Sequence, residues 1–193
     1  MELFLTLGYI FFMIIVCIIV ILITIATAIL KIPVVKGFIG ETVIKSIIGK
    51  TQPGEKYVVN DLMITDENGK SSQIDHILIN RNGIYVIETK NYSGRIYGNN
   101  MQHEWTQVLN YGAVKNRFYN PVKQNLTHIY RIREVTRTKI PIKSIVVFVK
   151  GNTKYIDSKD VYTPFEMKQE IQKSNFQQLK IKDEIPVLLF RFQ

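Results

Sequence analysis

An unbroken run of 28 uncharged residues, Leu3 to Leu30, dictates the first element of this chain. Nearly all are aliphatic or aromatic, and about 20 apolar residues in a helix suffice to cross the hydrocarbon core of a bilayer. The run is therefore expected to be a transmembrane helix, with length to spare for tilting. Ala26-Thr-Ala28 resembles a signal-peptide cleavage site, but the stretch lacks a basic start and its apolar core is longer than a signal peptide needs. Lys31 and Lys36 follow the run, whereas Glu2 is the one charge before it, and this basic flank favours a cytoplasmic C-terminal side. The expectation is a single-pass protein of the cell membrane whose soluble part faces the cytoplasm.

The one cysteine, Cys17, lies inside the apolar run, which rules out an intrachain disulfide and a cysteine-based zinc site in the soluble part. All 25 Lys and Arg, and every acid except Glu2, come after the run, so residues 31–193 carry a net charge of about +10. Such a surface attracts polyanions. Nucleic acid is one candidate partner, the acidic lipid of the inner leaflet is another, and a generally basic solvated surface is the third reading. Lys115, Arg117, Lys123, Arg131, Arg133, Arg137 and Lys139 interleave with Tyr111, Phe118, Tyr119 and Tyr130, a pattern compatible with a groove that tracks phosphates, although several of these aromatics suit a core.

Two alternating hydrophobic stretches, Gln73 to Ile79 and Ile84 to Lys90, flank Asn82-Gly83. A two-residue type I′ turn at Asn-Gly would pair Arg81 with Ile84 and place Asp75 opposite Lys90, with Glu88 diagonal to Asp75 on the same face. Burying two carboxylates together costs free energy through desolvation and repulsion, and a cation offsets it. Mg²⁺, or Mn²⁺, suits such a site: one or two carboxylates and the Thr89 backbone carbonyl would supply oxygens beside water and phosphate. Lys90 would then orient or help deprotonate water, or neutralise charge on a phosphate, and the implied reaction is phosphodiester hydrolysis. The plainer reading makes Asp75 and Lys90 a cross-strand ion pair and leaves Glu88 solvated.

Upstream, Ile39, Val43, Ile44, Ile47 and Ile48 form an apolar helical stripe opening at Gly37, which puts Glu41 in the first turn, where an acid also suits the helix dipole. A first strand is expected over Tyr57 to Ile64, followed by a turn at Asp66 to Gly69. Residues 91–100 read as a Gly- and Asn-rich loop with a short strand at Arg95 to Tyr97. Asn120-Pro121 starts a helix with Val122, Leu126, Ile129, Ile132 and Val135 as its apolar face and Lys123, Gln124, His128 and Arg131 on its polar face. Ile142 to Val149 reads as a strand covered on both faces, and Thr163-Pro164-Phe165-Glu166 as a helix start leading to Lys173. Pro186 to Phe192 fits either a closing strand or an apolar tail. His76 alternates away from the Asp75 face and reads as buried, and Trp105 as a packing residue. His128 follows Gln124 by one helical turn, so both could face the site if this helix packs across it, but a satisfied surface histidine is the preferred reading.

These segments together resemble the nuclease-related domain (NERD) family of the PD-(D/E)XK nuclease-like group. The resemblance rests on Gly37-Phe-Ile-Gly40-Glu41, Val59-Asn60-Asp61-Leu62, Gln73-Ile-Asp75-His76-Ile, Gly83-Ile-Tyr-Val-Ile-Glu88-Thr-Lys90-Asn-Tyr-Ser-Gly94, Trp105-Thr-Gln107 and Asn120-Pro121-Val-Lys-Gln124-Asn125, in the family's order over residues 36 to 130. It implies an α/β core of the restriction-endonuclease-like type, a mixed central sheet flanked by helices, with the soluble domain over residues 37–193. It also implies a metal-dependent nuclease: Asp75 and Glu88 as metal ligands, Lys90 as the lysine, and Glu41 as a helix-borne acid. Gln107-Val-Leu-Asn-Tyr111 looks like a Gln-x-x-x-Tyr element found in some relatives and adds Gln107 as an assisting residue. Asp75 follows Gln-Ile where many members of the group have proline.

The expected function is a membrane-anchored nuclease acting on nucleic acid, with DNA placed ahead of RNA. The alternative is a non-catalytic module that holds nucleic acid or a protein at the membrane, and a basic scaffold on the membrane surface is a third reading.

Overall fold

The computed structural model describes residues 2–65 and 69–173, so the expected turn at 66–68 and the segment at 186–192 lie outside the described residues. The chain divides into two units, the first ending at Ile39 and the second starting at Gly40. In the first unit, helix α1 (Glu2–Ile29) contains a stretch from Thr6 to Ile29 with a mean hydropathy of 3.3 and no covered side chains. That length and composition belong to a membrane anchor or a signal sequence.

The sequence pattern opens this helix at Gly37 and makes residues 31–36 a juxtamembrane linker; helix α2 (Pro33–Ile48) starts earlier, so residues 33–36 are helix rather than linker. Proline is compatible with a first helical position because the missing N–H has no partner to lose there. Glu41 is consequently well inside the helix, beyond the turn where the helix dipole acts. The face α2 buries is Gly40, Ile44 and Ile48, with Ile47 half-covered, while Val43 is exposed.

The second unit is built on one mixed sheet. Strands β1 (Lys56–Thr65), β2 (Ser71–Asn80) and β3 (Gly83–Asn99) form an antiparallel meander. Strand β3 is a single long strand, so the loop expected over residues 91–100 is strand for most of its length. Its far end pairs antiparallel with β4 (Glu104–Leu109), and β4 pairs with β5 (Val114–Tyr119). On its other edge β3 runs parallel to β6 (Ile142–Asp157), which carries the short parallel strand β7 (Val161–Tyr162). Helix α3 (Pro121–Thr136) supplies the crossover from the β5 side to β6, and α4 (Pro164–Gln172) closes the described chain. The centre of β6, Ile145 to Phe148, is fully covered, as its apolar sequence required.

Two apolar layers hold the helices to the sheet. Ile77, Ile79, Ile84 and Val86 pack with Ile129 and Ile132 of α3. Leu78, Tyr85, Ile87, Ile145 and Val147 pack with Ile44 and Ile48 of α2 and Met167 and Ile171 of α4. Trp105 is fully buried against Phe148 in a third cluster, which confirms its packing role. At the start of α4 the Thr163 hydroxyl accepts from the Glu166 N–H while the Glu166 carboxylate accepts from the Thr163 N–H, the capping box its sequence announced.

Candidate functional site

The β2–β3 hairpin turns one residue earlier than Asn-Gly chemistry led us to expect. Asn80 pairs with Gly83, leaving Arg81-Asn82 as the turn, and neither of these has a positive φ. The Asn80 side chain accepts from the Asn82 N–H at 2.8 Å, and the Asn82 amide donates to the Ile171 carbonyl at 3.1 Å. Gly83 instead takes the positive φ, at 144°, which a residue with a Cβ adopts only under strain. Side-chain hydrogen bonds thus override the type I′ preference.

The consequence reaches the acids. The last paired residues are His76 and Ile87, so one step further Asp75 faces Glu88 rather than Lys90. There the ladder stops, and the Asp75 carboxylate takes the Thr89 N–H at 2.8 Å. β3 does not acquire β4 as a neighbour until Arg95, so residues 88–94 form an open stretch of its edge. Helix α2 packs against this stretch: a Cβ on Gly40 would lie 2.8 Å from the Asn91 Cβ, which explains glycine at that position.

Glu88 is buried, with 2% exposure. Its Oε1 accepts from Lys90 Nζ at 2.7 Å, and its Oε2 lies 3.3 Å from His128 Nε2, a close contact not aligned as a hydrogen bond. Burial alone would raise the Glu88 pKa, but His128 and Lys90 outweigh it and hold the carboxyl below its usual range. Burial likewise pushes against a charged Lys90, yet Glu88 keeps its pKa above the ordinary value. Lys90 also donates to Gln124 Oε1 at 3.1 Å, and His128 Nδ1 is 2.8 Å from the Ser72 hydroxyl.

Gln124 and His128 come from α3, whose buried face is rotated relative to the sequence pattern. Leu126 and Val135 are exposed, while Asn125 and His128 point inward. Asn125 is the cause: its buried amide donates to the Val86 and Ile145 carbonyls and to the Ser144 hydroxyl, tying α3 to both β3 and β6. His128 is therefore buried beside Glu88 rather than on the surface; the apolar period did not show it, but its one-turn spacing from Gln124 allowed both to face this site, as they do. His76 is buried, as expected, with Nδ1 2.7 Å from Asn60 Oδ1, and burial lowers its pKa to about 4.

Asp75 takes its hydrogen bond from the Thr89 N–H, and Lys90 acts on it only at longer range. Burial and the facing Glu88 push its pKa up to about 7, against the relief given by the Thr89 N–H. Glu41 is also raised, by burial and then by Asp61, with Lys45 acting in the opposite direction and Glu88 adding to the rise. Asp61, part of the Val59-Asn60-Asp61-Leu62 segment but given no role from the sequence, falls between the paired residues Asn60–His76 and Leu62–Ile74, opposite Asp75, with a positive φ of 54°. It is joined to Lys45 at 2.7 Å. Glu41 thus lies within electrostatic reach of Asp61, Asp75 and Glu88, while Lys45 is paired with Asp61 and Lys90 with Glu88.

Gln107 is not brought to this cluster. It sits on β4, donating to the Ser93 carbonyl at 2.8 Å and accepting from Asn116 at 3.1 Å. The basic residues of the sequence pattern separate too: Lys123, Arg131 and Arg133 are on α3, while Lys115 and Arg117 are on β5.

A mixed sheet flanked by helices, with acids and a lysine where its central strand loses a neighbour, defines a nuclease-like α/β fold. The nuclease-related domain model matches residues 36–149, and the chain belongs to this family. It is 38% identical over 117 residues to an uncharacterized protein of Bacillus anthracis, a match covering 61% of this chain and 54% of that one. The chain thus spans about half the length of the curated relative. No solved structure matches it.

Proposed function

We propose that this protein is a membrane-anchored, divalent-metal-dependent nuclease in which Asp75 and Glu88 hold the cation and Lys90 acts on the phosphate or the attacking water. The observation that carries the reading is Asp75: a carboxylate facing a second carboxylate, with its pKa raised to about 7 by burial and then by Glu88. Structural ion pairs lower carboxylate pKa values, whereas cation sites crowd acids together. The donor set fits a hard cation. Two carboxylates are available, Glu88 Oε2 is buried without a hydrogen-bond partner, and Mg²⁺ commonly takes one or two carboxylates and fills its remaining positions with water and phosphate. The Thr89 carbonyl is a further candidate donor. Bound there, Mg²⁺ or Mn²⁺ would act as a Lewis acid on a phosphate oxygen and lower the pKa of water.

The protein's own residues do the positioning. Lys90, held between Glu88 and Gln124, stays charged and offers its ammonium to phosphate oxygens. His128, braced by Ser72, keeps Glu88 ionised and fixes its orientation. Glu41 lies within electrostatic reach of both site carboxylates and can accept a proton. α1 serves as the membrane anchor, with the domain in the cytoplasm and nucleic acid, DNA before RNA, as substrate.

One observation favours the non-catalytic alternative. Among the described residues no three His, Cys, Asp or Glu side chains are grouped closely enough to hold an ion by themselves. The deciding experiment incubates the full chain in detergent with labelled single- and double-stranded DNA and RNA, in Mg²⁺, Mn²⁺ or EDTA, beside Glu88→Ala and Lys90→Ala. Metal-dependent cleavage reduced about a hundredfold or more in both variants is expected. Wild-type cleavage that persists in EDTA, or no cleavage of any substrate, overturns the reading.

A further inference from the structure

Beyond the acids, β3 continues into a region where the two faces of the sheet differ completely. Ile96, Trp105 and Phe118 point to one face and pack under Val122 of α3. On the other face, Arg95 lies across from Val108, and Val108 across from Lys115. Tyr97 lies across from Thr106, and Thr106 across from Arg117. Residues directly opposite share a face, so Arg95, Tyr97, Lys115 and Arg117 form one surface, and all four are exposed. β6 extends it: Tyr155 pairs with Tyr97, and their rings stack at 4.7 Å with 22° between planes while remaining 42% and 37% exposed.

A four-stranded sheet that buries one face normally leaves small polar residues on the other. Here the open face carries two large stacked rings among three cations, against two acids: Asp157, two residues beyond Tyr155 on β6, and Glu104, which meets Arg117 at 3.7 Å with both side chains well exposed. A pair that exposed is weak and yields to a better anion. At the tip of the β4–β5 hairpin, Tyr111 is fully exposed with φ of 55°, so a bulky aromatic is held in a strained conformation without packing in return.

We propose that this open face of β6, β3, β4 and β5 is a platform for single-stranded nucleic acid. Tyr97 and Tyr155 stack on bases, and Arg95, Lys115 and Arg117 hold the backbone. Rings give affinity for unpaired bases because every base has a π-face, and the cations supply the salt-dependent remainder. A duplex hides its base faces and gains from the cations alone. Arg95 and Tyr97 follow Lys90 by five and seven residues on the same strand, odd offsets that set them on the opposite face of the sheet from Lys90, so the platform is a surface distinct from the acids. The inference rests on the nuclease reading for its direction of substrate, but the binding stands without hydrolysis.

The test measures binding by the full chain in detergent, in EDTA so that no cleavage intervenes, using fluorescein-labelled 20-nucleotide DNA and RNA and the matching duplexes. The expected result is tighter binding of single strands than of duplex. Tyr97→Ala with Tyr155→Ala should weaken single-strand binding about tenfold with an unchanged salt slope, and the double phenylalanine variant should retain wild-type affinity. Arg95→Ala, Lys115→Ala and Arg117→Ala combined should reduce the salt slope by about 2. If the double alanine variant fails to fold, the arginine and lysine variants and the strand preference decide. Equal affinity for single strand and duplex, or no effect of removing the rings, overturns the platform, as does loss of phosphatidylserine vesicle binding in these variants with oligonucleotide binding intact. The two proposals fail separately: wild-type chain that binds strands but never cleaves them sinks the nuclease, whereas metal-dependent cleavage without ring-dependent binding sinks the platform.

Discussion

Asp75 and His76 are neighbours whose environments tilt stability in opposite directions with pH. The Asp75 carboxyl, raised to about 7, binds a proton in the folded state that the unfolded chain has already released above its ordinary carboxylate range. Its stabilising contribution is present below about pH 4 and is lost as pH climbs through 7. His76, lowered to about 4, does the reverse: the unfolded chain takes up a proton below about pH 6.5 that the buried ring refuses, so stability falls as pH drops from there. Asp75→Asn removes the first effect while keeping an acceptor for the Thr89 N–H. We expect it to stabilise the fold at pH 8 by about 2 kcal/mol, with little change at pH 4, as measured by chemical denaturation. An equal effect at both pH values would show that charge is not the cause. His128, which orients Glu88, should matter to chemistry more than to folding. His128→Gln is expected to lower cleavage about tenfold with a melting temperature close to wild type. These roles differ in how far the sequence revealed them. Asp75, Glu88 and Lys90 could be read from a hairpin and a motif, because their relation is local. The contacts of His128 and Asn125 could not, because Ser72 and Ser144 lie 56 and 19 positions away, and hydrogen bonds of that span leave no periodic trace.

Among the elements, the meander, α3, β6 and α4 were visible in their apolar periods and caps. The errors share a cause. The hairpin register moved because Asn80 and Asn82 use their side chains locally and on α4, and α3 rotated because Asn125 bonds to the sheet; in both, polar side chains with tertiary partners overrode hydrophobic spacing. β3 continues through Asn91 to Asn99 because β4 and β6 supply ladder partners that composition cannot show. The closest approach between elements at the site is α2 against β3. Gly40→Ala places a methyl 2.8 Å from the Asn91 side chain, and it should destabilise the domain by about 1–3 kcal/mol and lower cleavage through displacement of the Thr89–Asn91 edge. Thermal denaturation together with the nuclease assay checks this, and wild-type stability would mean that the helix shifts away freely.

At the scale of the whole molecule, a chain of formal charge +9 couples an apolar helix to a domain with an acidic site. Deletion of residues 2–30 should release the protein from membranes while the remaining chain keeps its nucleic-acid affinity, and fractionation with and without high salt separates anchoring by α1 from surface adsorption. Retention of the shortened chain at high salt would show that α1 is not the anchor. The central claim, that Asp75 and Glu88 together hold a divalent cation, is tested most directly by calorimetric titration of Mn²⁺ into the wild-type chain and into Asp75→Asn at pH 8 and pH 6. The account predicts one site in the wild type, weakened up to about tenfold at pH 6 because Asp75 must lose its proton to bind, and no site in the variant. Equal Mn²⁺ binding by both proteins, or none by the wild type at pH 8, would contradict it.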